Sequence, residues 1–240
     1  SLLEITTSSK EKNYYNRLTF KFDAREEPGH SSALNKEAND FFIKNPEWAH
    51  FVSILSDKKF VYDALDLFDK PIDNHRGFRY SLRKKKYSKH IKTNDIFINR
   101  LIKKLANNIS ISFMFSITGP SDGLYPHTDS TNKLISLLLY FPEKDWKEEY
   151  HGETSFYKMK GNISKNKKRK WSLLGKKNIH ITDSELASEF DASYKTISKT
   201  RYIPNMLAGF VRNDKSWHGV GPITCPKGKI RRAFLINLRM

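Results

Sequence analysis

His127 and Asp129 stand two residues apart in Tyr125-Pro126-His127-Thr128-Asp129, and this stretch constrains the chain more than any other. On extended backbone, residues i and i+2 point to the same side, so both side chains can reach one point. A third group must then come from another strand. Trp217-His218-Gly219-Val220 supplies a histidine in a short strand-like segment. A His-x-Asp pair alone says little in a chain with 8 histidines. The setting adds to it. A short polar turn follows Asp129, and residues 134–141 then run LISLLLYF, the pattern of a buried strand. Beyond His218, Arg231-Arg232-Ala233-Phe234-Leu235 opens an apolar strand on basic residues. Two histidines and one carboxylate of this kind form the facial set that holds non-heme Fe(II) while leaving coordination positions open.

The rest of the second half reads as strands: 109–117, 134–141, 153–158, 195–203, 206–211, 217–222 and 231–238. Short strands separated by Gly, Pro and Asp predict a double-sheet jelly roll. Residues 231–238 alternate poorly and are mostly apolar, as expected of a strand buried on both faces. Residues 159–194 interrupt this pattern with a run of lysines, an insertion of the kind that forms a lid, a binding loop or a disordered excursion. Asp183-Ser184-Glu185 within it is able to open a short helix.

Before residue 109 the pattern is mainly helical. Leu18, Phe20 and Phe22 share one side of a strand, and Glu26-Glu27-Pro28-Gly29 ends it. Ser31 or Ser32 can cap a helix through Phe42. Asn45-Pro46-Glu47 is a helix start with a capping side chain and Pro at the first position. Trp48, Phe51, Val52 and Leu55 follow at helical spacing, the mark of a core face. Ser56-Asp57 starts a further helix carrying Phe60, Ala64, Leu65 and Phe68, and Pro71 is expected to stop it. Residues 31–70 therefore read as helices packed on the outside of a sheet. Residues 76–92 are basic, with Phe78, Tyr80 and Tyr87 interleaved; they read as a solvated connection or as one wall of an anionic-substrate cleft. Asn94-Asp95 caps a helix through about Leu105.

In these residues the chain resembles the Fe(II)/2-oxoglutarate-dependent oxygenase superfamily, in its prolyl-4-hydroxylase-like branch. The resemblance runs from about Ile109 to the C-terminus. It rests on His127, Asp129, His218 and Arg231, on Leu138-Leu139-Tyr140-Phe141-Pro142 with Lys144-Asp145-Trp146, and on His151-Gly152-Glu153-Thr154, where the family has a Gly-Gly-Glu turn. It implies a double-stranded β-helix (a cupin-like jelly roll) with helices packed on one sheet. A length of 240 residues makes one oxygenase domain over residues 1–240 the expectation, with 1–108 as mainly helical support and 109–240 as the jelly-roll core carrying the basic insertion 159–194. The implied cofactors are Fe(II), 2-oxoglutarate as cosubstrate and O2, and the implied products are succinate, CO2 and a hydroxylated substrate. His127, Asp129 and His218 would be the metal ligands.

Arg231 is the candidate for the far carboxylate of 2-oxoglutarate, since a planar guanidinium grips a carboxylate at two points. Arg232 is its neighbour, and the two face opposite ways on a strand. The family places a small residue two positions after the cosubstrate arginine, which Ala233 satisfies for Arg231. Tyr140, where part of the branch has a tyrosine donor, is a second candidate for the same carboxylate. Tyr125 is read as an entrance residue and Trp217 as packing. His151-Gly152-Glu153 is a rival His-x-acid pair.

Composition bounds the partners. A formal charge of +17 over 240 residues makes an anionic substrate or nucleic acid the partners to consider, although lysine-rich usage also follows from an AT-rich genome. A nucleic-acid or nucleotide oxygenase or demethylase of the same chemistry, and a jelly-roll binding protein without catalysis, stand as alternatives. One cysteine excludes an internal disulfide framework. No apolar run approaches a membrane span, and Ser1-Leu2-Leu3-Glu4 lacks a basic-then-apolar leader, so the expected location is cytoplasmic. No Gly-rich phosphate loop, cysteine pair or nucleophile elbow offers another chemistry.

Overall fold

The computed structural model describes residues 18–23, 40–77 and 109–240. At its centre lies the C-terminal strand β9 (Arg231–Arg239), paired antiparallel on both sides with β2 (Ser110–Thr118) and β4 (Lys133–Tyr140). Adding β1 (Leu18–Asp23) and β7 (Leu207–Val211) makes a five-stranded sheet of order β1-β2-β9-β4-β7. A four-stranded sheet has the order β3-β8-β5-β6, from β3 (Leu124–His127), β8 (His218–Val220), β5 (Thr154–Met159) and β6 (Tyr194–Lys199). All the pairings are antiparallel. The two sheets face one another, for Phe156 of β5 meets Phe210 of β7 edge-on at 5.4 Å between ring centroids.

Period two sorts the residues of the central strands by face. Phe234, Ile236 and Leu238 of β9 sit opposite Phe115, Phe113 and Ile111 of β2 on the outer face. Phe113 and Phe234 stack at 5.6 Å. Against this face pack Phe41, in the helical stretch 40–44, and α1 (Pro46–Ser56), α2 (Lys58–Leu67) and α3 (Asp69–Arg76), through Val52, Leu55, Val61, Ala64, Leu65 and Ile72. Trp48 of α1 meets Phe115 at 4.9 Å and Phe234 at 5.9 Å. Each such large apolar side chain contributes about 1.5–3 kcal/mol on burial. The inner face of β2 instead presents Ser112, Met114, Ser116 and Thr118, and that of β9 presents Arg231, Ala233, Leu235 and Asn237. Such polarity within a β-sandwich marks a lined cavity rather than a sealed core.

The expected strands and the helix starts at Pro46 and Asp57 are present, with three differences. Asn45 precedes α1, but its side chain donates to Phe41 O at 2.8 Å instead of capping the helix. Pro71 does not end the helical region, because Phe68 breaks the run and α3 restarts at Asp69. Pro71 thereby falls in a first turn, where its missing N–H removes no helical bond. The insertion is not a disordered excursion. It folds into α4 (Lys165–Lys176) and α5 (Ser184–Ser193), with Ser164 and Asp183 as caps. Trp171 and Phe190 of these helices pack with Ile181, Tyr194 and Trp217 in a separate aromatic core. The expected helix over 94–105, and the basic stretch 76–92 beyond Gly77, lie outside the described residues. Among the described residues, no helix is long and apolar enough to cross a membrane.

Candidate metal centre

His127 ends β3 and His218 begins β8, and the two are direct partners in the ladder. Directly opposed residues on antiparallel strands bring their side chains together, and the imidazole centroids lie 4.3 Å apart. Asp129 follows two residues after His127, just past the strand end. One ligand atom from each of His127, Asp129 and His218 lies within 4.8 Å of the others, and all three residues are buried. Among the described residues this is the one such group of histidine, cysteine or carboxylate side chains.

Both histidines are oriented in the same way. His127 Nδ1 lies 2.9 Å from Tyr125 O, and His218 Nδ1 lies 3.0 Å from Ser216 O. A carbonyl only accepts, so each Nδ1 carries the proton and each Nε2 is left as the donor atom for a metal. Asp129 is fixed through both oxygens: Lys133 Nζ donates to Oδ1 at 2.7 Å and Ser136 Oγ donates to Oδ2 at 2.5 Å. Burial pushes this carboxyl up, but the charge of Lys133, joined by those of His218 and His127 in acid where the rings are protonated, and the hydrogen bond from Lys133 outweigh it and hold Asp129 far below the usual carboxylate range. His127 is pushed well below the usual histidine range, first by burial and then by His218. The site is thus poised with an ionised carboxylate and a neutral imidazole, the forms that bind metal.

The cavity between the sheets is lined by His127, Asp129, His218, Lys133, Ser136 and Arg231, with Leu124, Leu138, Phe210, Val220 and Leu235 among its apolar walls. Arg231 is buried; its Nε donates to Gly152 O at 2.7 Å. Its guanidinium carbon lies 5.4 Å from the ring centroids of both Tyr140 and Tyr202. Arg232 faces away and pairs with Glu143 at 3.0 Å. Of the two candidate arginines, the structure places Arg231 in the cavity. Tyr140 is fully buried, and its hydroxyl meets Thr154 Oγ1 at 2.8 Å and Thr200 Oγ1 at 2.9 Å. It contacts Arg231 and does not line the cavity. Tyr125 is exposed, and Trp217 is buried in the aromatic core.

The rival pair is not assembled in the same way. His151 is half exposed, and Glu153 is engaged by Lys199 at 2.8 Å. His151 and Gly152 have φ of 61° and 115°, so this stretch is a tight turn. Its glycine is required by space as well, since a Cβ there would lie 2.8 Å from Tyr202 Cδ1. The carbonyl of that turn is the acceptor for Arg231.

Four residues of this region belong to none of the motifs read in the sequence. Lys133 and Ser136 on Asp129, Arg212 beneath it, and His180 stacked on His127 at 4.5 Å all come from positions with ordinary sequence surroundings. The one available signal was polarity within an apolar run: Lys133 and Ser136 punctuate KLISLLLY.

No family model matches the sequence, and no curated protein matches it. Among solved structures, a Pseudomonas putida prolyl-4-hydroxylase aligns with 10% identity over 94% of this chain and 72% of its own, with a TM-score of 0.38. A Trichoplax adhaerens prolyl hydroxylase, in complex with a hypoxia inducible factor oxygen degradation domain peptide fragment, aligns with 13% identity over 60% of this chain and 55% of its own, with a TM-score of 0.33. At TM-scores below 0.5 neither likeness carries weight for fold or activity; the reading of this chain rests on its own residues.

Proposed function

We propose that this chain is an Fe(II)- and 2-oxoglutarate-dependent oxygenase of the prolyl-hydroxylase-like kind, a hydroxylase built as one domain. The observation that carries this reading is the convergence of His127, Asp129 and His218 within 4.8 Å in a cavity that also holds the buried guanidinium of Arg231. The donor set fits the metal: two imidazole nitrogens and one carboxylate oxygen, without thiolate, suit Fe(II) and leave positions open. The strand order β2-β9-β4-β7 facing β3-β8-β5-β6 supports a double-stranded β-helix, the architecture expected of such a site.

The bound iron and cosubstrate would supply oxidative decarboxylation to succinate and CO2, coupled to oxygen insertion. The residues of the chain orient and enclose. His127 and His218 present Nε2, each held by a backbone carbonyl behind it. Lys133 and Ser136 fix the plane of Asp129. Arg231 would receive the far carboxylate of 2-oxoglutarate, its guanidinium kept in place by Gly152 O and by the faces of Tyr140 and Tyr202. Leu124, Leu138, Phe210, Val220 and Leu235 exclude water. The substrate class stays open. The overall charge of +17 makes anionic compounds the first to screen, yet no lysine of 165–177 is among the residues lining the cavity.

The deciding experiment is anaerobic Fe(II) titration followed by succinate release from 2-oxoglutarate on admission of air. One Fe(II) per chain and iron-dependent succinate are expected. A His218→Ala variant that keeps full iron-dependent turnover would contradict the assignment.

A further inference from the structure

Arg212 follows β7 and is 2% exposed, and each nitrogen of its guanidinium has a polar partner. Its Nε donates to the backbone carbonyl of Asp129 at 3.0 Å. One terminal nitrogen donates to Asp214 Oδ1 at 2.8 Å. The other reaches Gly175 O at 3.2 Å and Lys176 O at 3.4 Å. These last two carbonyls belong to the final turn of α4, where helix geometry leaves carbonyls without an internal partner and with partial negative charge. A buried guanidinium thus joins the end of an inserted helix to the loop that carries a proposed metal ligand.

Three further contacts meet at the same junction. Thr128, between His127 and Asp129, donates through Oγ1 to Gly175 O at 2.6 Å. Ile181 N donates to Pro126 O at 3.3 Å. The ring of His180 lies parallel to that of His127, with centroids 4.5 Å and planes 11° apart. The approach also excludes side-chain atoms at one point: a Cβ on Gly175 would lie 2.1 Å from Asp214 O, in the loop leading to His218.

We infer that Arg212 is a positioning residue for the metal centre, and that the insertion serves through it as the outer support of both ligand-bearing loops. Residues 126–129 and 212–218 are each held by the same short stretch, 175–181. The backbone of Asp129 is fixed by Arg212 from below while its carboxylate is fixed by Lys133 and Ser136 from within the cavity. Arginine is required because one planar fork must serve three separate chain segments at once; lysine offers a single point charge. Partners behind the ligands of this kind govern metal affinity by holding the donor atoms in place before the ion arrives.

This inference rests on the reading of His127, Asp129 and His218 as metal ligands. Its test uses the whole chain with Co(II) as a spectroscopic probe, read by visible absorption, so that no turnover is involved. Four variants are compared with the wild type: Arg212→Gln, Arg212→Lys, Gly175→Ala and, as a control, Leu186→Ala, which loosens α5 within the aromatic core and removes none of the hydrogen bonds that join residues 175–181 to the ligand loops. Arg212→Gln and Gly175→Ala are expected to weaken Co(II) binding by roughly 10–100-fold. Arg212→Lys should fall between Arg212→Gln and the wild type. Leu186→Ala should lower the melting temperature and leave Co(II) affinity as in the wild type. If Arg212→Gln does not fold, Arg212→Lys and Gly175→Ala decide the matter. Unchanged Co(II) affinity in the Arg212 and Gly175 variants, or an equal loss in Leu186→Ala, would overturn the positioning role while leaving the metal site intact. A wild type that takes up no Co(II) would overturn the metal reading itself, and this inference with it.

Discussion

Lys133 Nζ lies 2.7 Å from Asp129 Oδ1, and both side chains are only 10% exposed. A buried pair of this kind is held together by what its separation would leave behind: one uncompensated charge out of water. Lys133→Met should therefore destabilise the metal-free protein by about 3–5 kcal/mol. A divalent ion placed on Asp129 would supply the missing positive charge. Thermal unfolding with chelator and with Mn(II) should show a larger metal-induced gain for Lys133→Met than for the wild type. Equal gains would mean that Asp129 does not face the metal.

The pH dependence of the metal-free protein has a definite sign. His127 lies well below the ordinary histidine value of 6.5, through burial first and His218 second. Below that value the unfolded chain takes up a proton that the folded chain does not, so stability falls as pH falls. Asp129 acts in the same direction in more acidic solution. Its depressed pKa contributes stability that is present above the ordinary carboxylate value of 3.8 and is lost as pH drops through the folded value. Melting temperatures in chelator should decline between about pH 7.5 and 5.5, and His127→Gln should flatten this decline. A wild-type midpoint independent of pH over that range would contradict the buried neutral imidazole.

Arg231 and Arg232 differ in face, and the difference should appear in the cosubstrate requirement. Arg231→Ala removes a buried guanidinium from the cavity; Arg232→Ala removes a half-exposed partner of Glu143. Loss of a hydrogen bond to a charged group costs about 1.5–3 kcal/mol, roughly a 10–150-fold rise in the 2-oxoglutarate needed for half-maximal turnover. Arg232→Ala should stay near the wild type. The reverse ranking would place the cosubstrate elsewhere.

The aromatic core beneath the insertion should be a large contributor to stability. Trp171 is fully buried, and its ring meets those of Phe190, Tyr194 and Trp217 at 5.4, 5.5 and 5.7 Å. Trp171→Ala should cost about 3–5 kcal/mol in urea unfolding. A loss under about 1 kcal/mol, the scale of an ordinary point substitution, would show that the insertion is only loosely attached.

Much of the architecture was legible because its causes are local. The apolar runs of β4 and β9 and the Asn45-Pro46 helix start are properties of neighbouring residues. His127 and Asp129 were readable for the same reason, as a pair two residues apart. Local signals also misled where a longer context prevailed. Pro71 is a helix breaker within a turn of its own, but the chain had already restarted at Asp69. Lysine density in 165–177 read as loop, whereas Trp171 and Leu174 give α4 an apolar face for the aromatic core to hold.

By itself, then, the sequence determined which segments become strands, which residue types are available to hold a metal, and that two of them stand close together. The tertiary structure alone decided that His218 is paired opposite His127 and that Lys133, Ser136 and Arg212 surround Asp129, and it put Arg231, already favoured over Arg232 by the small Ala233 two residues on, against the cavity. The physical reason is distance along the chain. Arg212 reaches Asp129 across 83 residues and Gly175 across 37, and Arg231 reaches Gly152 across 79. No local period records such contacts; they exist only once two sheets close on one another and a buried charge must find its partners.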